Sequence, residues 1–263
     1  MIHYQTLNRL LWGIIALCTL AVSLMGLLNT GIYQSFAKSD LISGLVAQDL
    51  ISLLVAISLI YFSLFSKAIG IKKLVIILGM IGYLFYGYGI YVMELFYNAF
   101  YFVYMVIFGL SFYSIVVGIV AIDINLRSKV EVNRTILILS ALFLFMNPLI
   151  FYPLWITEIL PFILERQRPE VFYSVYILDL CLIMPAMVIV GVMALKNSGW
   201  ALLLLPALLV WGFILLFAVA LGGMIQWIRD QVVSFREISF YLVLSLIFIG
   251  LIAAYFRRLK ISF

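Results

Sequence analysis

Apolar runs of 18 or more residues, parted only by short polar connections, recur along the whole 263-residue chain, and no other feature constrains its fold as strongly. Each run is long enough to cross a hydrocarbon core of about 30 Å as an α-helix rising about 1.5 Å per residue. Backbone facing lipid must satisfy its polar groups internally, so the spanning form is helical. With 67% hydrophobic and 10% charged residues, against roughly 45–50% and 25% in a soluble domain, nothing is left over for a separate aqueous domain. The expectation is an all-α, polytopic transmembrane helix bundle, a single domain over residues 1–263. Its spans fall at about 10–28, 41–66, 74–96, 99–122, 135–155, 172–195, 200–228 and 238–256.

The first run is too long for a signal-peptide core and ends in Leu27-Leu28-Asn29-Thr30 without a small-x-small pattern, so it reads as a retained helix. The fifth carries Pro148, Pro153 and Pro161, and is expected to kink or break before Leu164, leaving an interfacial piece. Lys and Arg are retained on the cytoplasmic side of short loops. With both termini inside, 11 of the 16 basic residues lie in cytoplasmic connections and 5 outside. The acidic residues divide the other way. Asp123 and Glu131 are inside, and nine, including Asp40, Glu165, Glu170, Asp230 and Glu237, lie outside or in the outer half, which implies a negative outer vestibule. The expected place is a prokaryotic inner or plasma membrane.

The composition also excludes chemistry. His3 is the only histidine and lies in the N-terminal tail, so intramembrane zinc hydrolysis on histidine ligands, bis-histidine haem and Ser–His catalysis lack their imidazole. Cys18 and Cys181 each sit inside an apolar run and suggest neither a disulfide framework nor a thiolate metal site. The net charge of +5 is scattered between spans and forms no clustered face for nucleic acid. No motif for a nucleotide, a cofactor or a catalytic nucleophile is present.

What remains is a set of costly carboxylates. Asp49 and Asp179 lie about two turns inside their runs, where a charge costs roughly 2.5–3.5 kcal/mol on insertion scales and usually faces protein or a wet cavity. Tyr83, Gly87, Tyr91 and Glu94 are spaced to share one helical face. The expected ligand-binding cluster is Asp49, Asp179, Glu94 and Glu158, with Gln48, Tyr91, Tyr104 and Tyr176 as hydrogen-bonding neighbours. Crowded oxygen ligands suit protons and hard cations better than transition metals. Three structural alternatives stand beside this reading: Asp49 as an N-cap of a late-starting helix, Glu94 and Glu158 as wetted interfacial residues, and the tyrosines as an aromatic belt.

Val46–Ala56 and Tyr176–Ala186 align with Asp49 on Asp179, Leu50 on Leu180 and Ala56 on Ala186, as a parallel four-plus-four repeat would. The segments Gln48-Asp49-Leu50, the Tyr-rich third run ending near Asn98, and Leu178-Asp179-Leu180 with Pro185 resemble bacterial and archaeal multi-pass membrane proteins without an assigned activity. That resemblance implies only a self-contained membrane module. The leading functional expectation is a transporter or permease-like protein with an outward-facing acidic cavity for a proton, cation or cationic solute. An intramembrane lipid-modifying enzyme with paired carboxylates, and a non-catalytic subunit that binds a membrane-protein partner, are the alternatives.

Overall fold

The computed structural model describes residues 2–34, 36–39, 41–122, 130–167, 173–230 and 233–261. The expectations for Asp40, Asp123, Arg127, Lys129, Arg168 and Glu170, and for the side chain of Asp230, lie outside the described residues. Eight helices are long and apolar enough to cross a membrane. They are α1 (Gln5–Leu28), α2 (Ile42–Phe65), α3 (Ile71–Met93), α4 (Tyr101–Val120), α5 (Arg134–Glu165), α6 (Tyr173–Leu195), α7 (Gly199–Asp230) and α8 (Phe235–Arg258). The chain is an integral, multi-pass, all-α membrane protein in contact with a lipid bilayer.

The centre of the bundle is α3 against α7, whose most apolar windows are 72% and 61% buried. Gly79 permits this contact: a Cβ there would overlap Val210 and the Ala207 carbonyl of α7. Removing a side chain lets two backbones approach, the usual device where lipid gives helices no hydrophobic reason to associate. Around this pair, α1 packs on α2 and α4, and α3 on α4; α5 packs on α6 and α8, and α7 on α8. The two halves therefore repeat one neighbour pattern.

One end of the bundle collects the basic side chains, and helix chemistry explains why several are held there. Arg9 donates to the Ser66 carbonyl (2.5 Å) beyond α2, Lys72 to the Phe256 carbonyl of α8 (2.7 Å) and Arg134 to the Leu195 carbonyl of α6 (2.9 Å). Each cation satisfies carbonyls that a helix C-terminus leaves without partners. Both tails are tied down at the same end. His3 N–H bonds the Ala121 carbonyl (2.8 Å), and β2 (Lys260–Ile261) pairs antiparallel with β1 (Val130–Glu131). An even number of crossings requires this.

Local features depart from simple helices, among them a π turn at Tyr61–Phe65 that ends α2. In α6 a π turn spans Asp179–Ile183, just ahead of Pro185; proline has no N–H for the carbonyl four residues back, and a wider turn absorbs the defect. The expected break in the fifth span is corrected: α5 continues for 32 residues through all three prolines. The prolines leave only the Leu144, Leu149 and Thr157 carbonyls without their helical N–H, and the bonds between these positions hold the helix together.

Candidate functional site

Asp49 lies seven residues into α2, about 10 Å from Ile42 at 1.5 Å per residue, and is 1% exposed. Because α2 starts at Ile42 behind Leu41, the N-cap alternative is removed. Oδ2 of Asp49 accepts a hydrogen bond from the Tyr33 hydroxyl at 2.7 Å. Tyr33 belongs to the short 3-10 helix Thr30–Tyr33, whose start is set by Asn29 accepting from Gly31 N–H (3.1 Å). Burial, then the adjoining Asp49 carboxylate, pushes the Tyr33 hydroxyl far above its ordinary pKa, so it stays a donor. Gly26 of α1 makes the space, since a Cβ there would overlap both the Asp49 carboxyl and the Tyr33 hydroxyl. Among the described residues no cationic side chain pairs with Asp49.

The surrounding wall is phenolic. Tyr83, Tyr88 and Tyr91 of α3 and Tyr104 of α4 all lie within electrostatic reach of the Asp49 carboxyl. Their rings interlock, with Tyr88–Tyr91 centroids at 5.6 Å and Tyr91–Tyr104 at 5.1 Å. Phe96 stacks on Tyr91 (5.0 Å) and Phe36 on Phe96 (6.0 Å), closing the assembly toward the end opposite the basic one. The α3 terminus aims Phe96 at this place: Leu95 takes a left-handed conformation (φ 58°), and Phe96 N–H returns to the Tyr91 carbonyl (3.1 Å). Asn98 accepts from Phe100 N–H (2.9 Å) and donates to the Tyr104 hydroxyl (3.1 Å), placing the start of α4.

Gln48 turns toward α3 and packs on Gly87, where a Cβ would collide with its amide. Its Nε2 is buried without a partner among the described residues, as is the Tyr91 hydroxyl. The Tyr83, Gly87 and Tyr91 spacing therefore brings α3 onto α2 beside Asp49.

The other three carboxylates take separate partners. Glu94 Oε1 accepts from Ser174 N–H (2.9 Å) and Ser174 Oγ (2.6 Å) at the start of α6, and Tyr173 donates to the Met93 carbonyl beside it. Asp179, half-buried, accepts from Trp155 Nε1 of α5 (2.9 Å) and also interacts with Tyr86 of α3. Glu158 is exposed and accepts from Tyr176 (3.0 Å), whose ring meets Trp155 edge-on at 5.3 Å.

Three environments result. Tyr91 and Tyr104 lie near Asp49, with Gln48 beside it in sequence and packed on Gly87; Trp155 links Asp179 to Tyr176, which bonds Glu158; Glu94 stands on the α6 terminus. Among the described residues no three His, Cys, Asp or Glu side chains are grouped to hold a metal ion. Sequence reasoning missed Tyr33, Gly26 and Trp155. Asn29-Thr30-Gly31 is a turn signal that ends α1, but nothing local says that Tyr33 folds back beneath it.

No protein-family model matches the chain, and no curated protein or solved structure matches it.

Proposed function

We propose that the protein is a permease-like carrier of protons, and that Asp49 is the group that takes the proton up and gives it away. The observation behind this is the Asp49 site itself: a carboxyl 1% exposed, bonded to one phenol and paired with no cation among the described residues. An isolated ionised carboxylate in such a setting is very costly, so Asp49 must be accompanied by a proton or by an arriving cation. The proton is preferred because the neighbouring groups are hydroxyls and an amide. A metal cation would require several more oxygen ligands at about 2–2.6 Å.

In this reading Gln48, Tyr91 and Tyr104 are the polar wall of the binding place, and the Tyr33–Phe96–Phe36 layer is the closed gate above it. Asp179, Glu158, Tyr176 and Glu94 are held by other partners and carry no proton in this reading. Paired-carboxylate catalysis on a lipid is less well supported, because among the described residues Asp49 and Asp179 share no hydrogen-bond partner and paired acid–base chemistry needs both groups at one reacting bond.

The test is proton flux into proteoliposomes carrying a trapped pH dye, driven by a potassium diffusion potential. Wild-type and Glu158→Gln protein acidify the lumen, and Asp49→Asn slows this at least tenfold. Flux from Asp49→Asn protein equal to wild type, or wild-type flux no greater than in protein-free vesicles, contradicts the proposal.

A further inference from the structure

Below Asp49, toward the basic end, the faces that α1 and α4 turn inward carry a line of polar groups that the gate and wall do not explain. On α1 the buried positions Asn8, Trp12, Thr19, Ser23 and Gly26 recur at spacings of 4, 7, 4 and 3, which is one helical face. On α4 the buried positions are Tyr104, Ile107, Ser111, Ser114 and Gly118. The helices run antiparallel, and two contacts set their register. The Asn8 amide oxygen lies 3.8 Å from where a Cβ on Gly118 would stand. At the other end Ser23 hydrogen-bonds the Tyr88 hydroxyl (3.1 Å), and Tyr88 meets Tyr104 at 5.8 Å between centroids. Counting inward from these contacts puts Trp12 level with Ser114 and Thr19 level with Ile107.

Asn8, Thr19, Ser111 and Ser114 are all 0% exposed. Both amide atoms of Asn8, the Trp12 indole N–H and the hydroxyls of Thr19, Ser111 and Ser114 have no hydrogen-bond partner among the described residues. Outside the seam the described helical serines divide: the hydroxyls of Ser43, Ser52 and Ser140 are also without a partner, and others bond their own helix. Ser58, Ser239 and Ser245 donate to the carbonyl four residues back at 2.8–2.9 Å. The hydroxyls between α1 and α4 do not take this option, although it is open to any helical hydroxyl. Buried polar atoms are nearly always satisfied by protein or by ordered water, and internal water characteristically bridges groups of this kind.

We infer that the α1–α4 seam from Asn8 to Ser23 holds a chain of internal water that connects Asp49 to the basic end. From Asn8 to Gly26 the seam covers about 27 Å of helix at 1.5 Å per residue. Its upper end joins Asp49 through Ser23, Tyr88 and the Ser52 hydroxyl, which lies beside both Tyr83 and Tyr88. The gate is aromatic and closed on one side of Asp49; the seam is polar and hydrated on the other. As a route for protons it rests on the carrier reading of Asp49; as a hydrated seam it stands without it.

Hydroxyl-radical footprinting of the purified full-length protein, read by mass spectrometry, tests this, since radicals formed from internal water modify side chains that bulk solvent does not reach. Tyr88 is compared with Tyr255, which is equally buried but bonds the Leu202 carbonyl away from the seam. Trp12, after correction for the intrinsic radical reactivity of an indole, is compared with the same Tyr255, because the Trp211 indole N–H is also without a partner among the described residues. The expected result is labelling of Tyr88 and Trp12 at least fivefold faster than this reference, reduced at least threefold in Thr19→Val/Ser114→Ala. Labelling of both as slow as the reference in the wild type overturns the inference, with no variant needed. Fast labelling in protein that carries no protons upholds the seam and removes the carrier reading. Slow labelling with Asp49-dependent flux does the reverse.

Discussion

Tyr33 and Gly26 matter because each meets the Asp49 carboxyl directly, one by donating to it and the other by leaving it room. Removing the donor strands a buried acceptor, at a cost of about 1–3 kcal/mol, so Tyr33→Phe lowers the melting temperature in detergent whereas the near-isosteric Asp49→Asn keeps it within a few degrees. Gly26→Ala drives a methyl into two polar groups and costs about 1–3 kcal/mol, read in the same melt. At Leu95 the sign is opposite. A left-handed conformation costs a residue with a Cβ about 1–2 kcal/mol, and this side chain is 45% exposed, so Leu95→Gly raises the melting temperature. Asp49 was legible from sequence because its depth made it expensive. Tyr33 was not, because it reaches Asp49 by returning across a turn, and periodicity carries no information about returns.

Among the elements, the carboxylates and cations follow the polarity of helix ends. Glu94 bonds the first turn of α6, where unpaired N–H groups and the helix dipole favour a negative charge, while Arg9, Lys72 and Arg134 stand on C-terminal carbonyls. Glu94→Ala therefore costs about 1 kcal/mol through a lost cap and leaves proton flux within twofold of wild type, as vesicle assays of the refolded variant check. The eight spans were legible because each is a long apolar run, and α5 was misjudged for a physical reason. Its prolines remove individual hydrogen bonds, yet in lipid no water competes for the others, and the rest of the helix stays intact. The carboxylate cluster was drawn from helical spacing within single elements. Which elements face one another is set by contacts such as Gly79 on α7 and Gly87 on Gln48, and spacing within one element carries none of these.

At the scale of the whole molecule, both halves use one ring of helix neighbours, and α3 and α7, the third member of each half, meet at the centre. That arrangement agrees with a four-plus-four repeat, yet the halves differ where it counts: Asp49 is fully enclosed by phenols, and Asp179 is half-buried beside an indole. The basic end gathers Lys67, Lys72, Lys73, Arg134, Lys196 and Arg257, and from the retention of cations we propose that it is the cytoplasmic end. Single cysteines at positions 67 and 196, in a background lacking Cys18 and Cys181, thus resist an impermeant thiol reagent in intact cells and react after lysis. The account turns on Asp49 alone, among four carboxylates, carrying the proton. The most direct measurement compares vesicle proton flux after neutralising each in turn, in protein of matched melting temperature: Asp49→Asn, Asp179→Asn, Glu94→Gln and Glu158→Gln. The account predicts at least a tenfold loss for Asp49→Asn and changes under threefold for the others. Full flux through Asp49→Asn, with loss at Asp179→Asn instead, would contradict it.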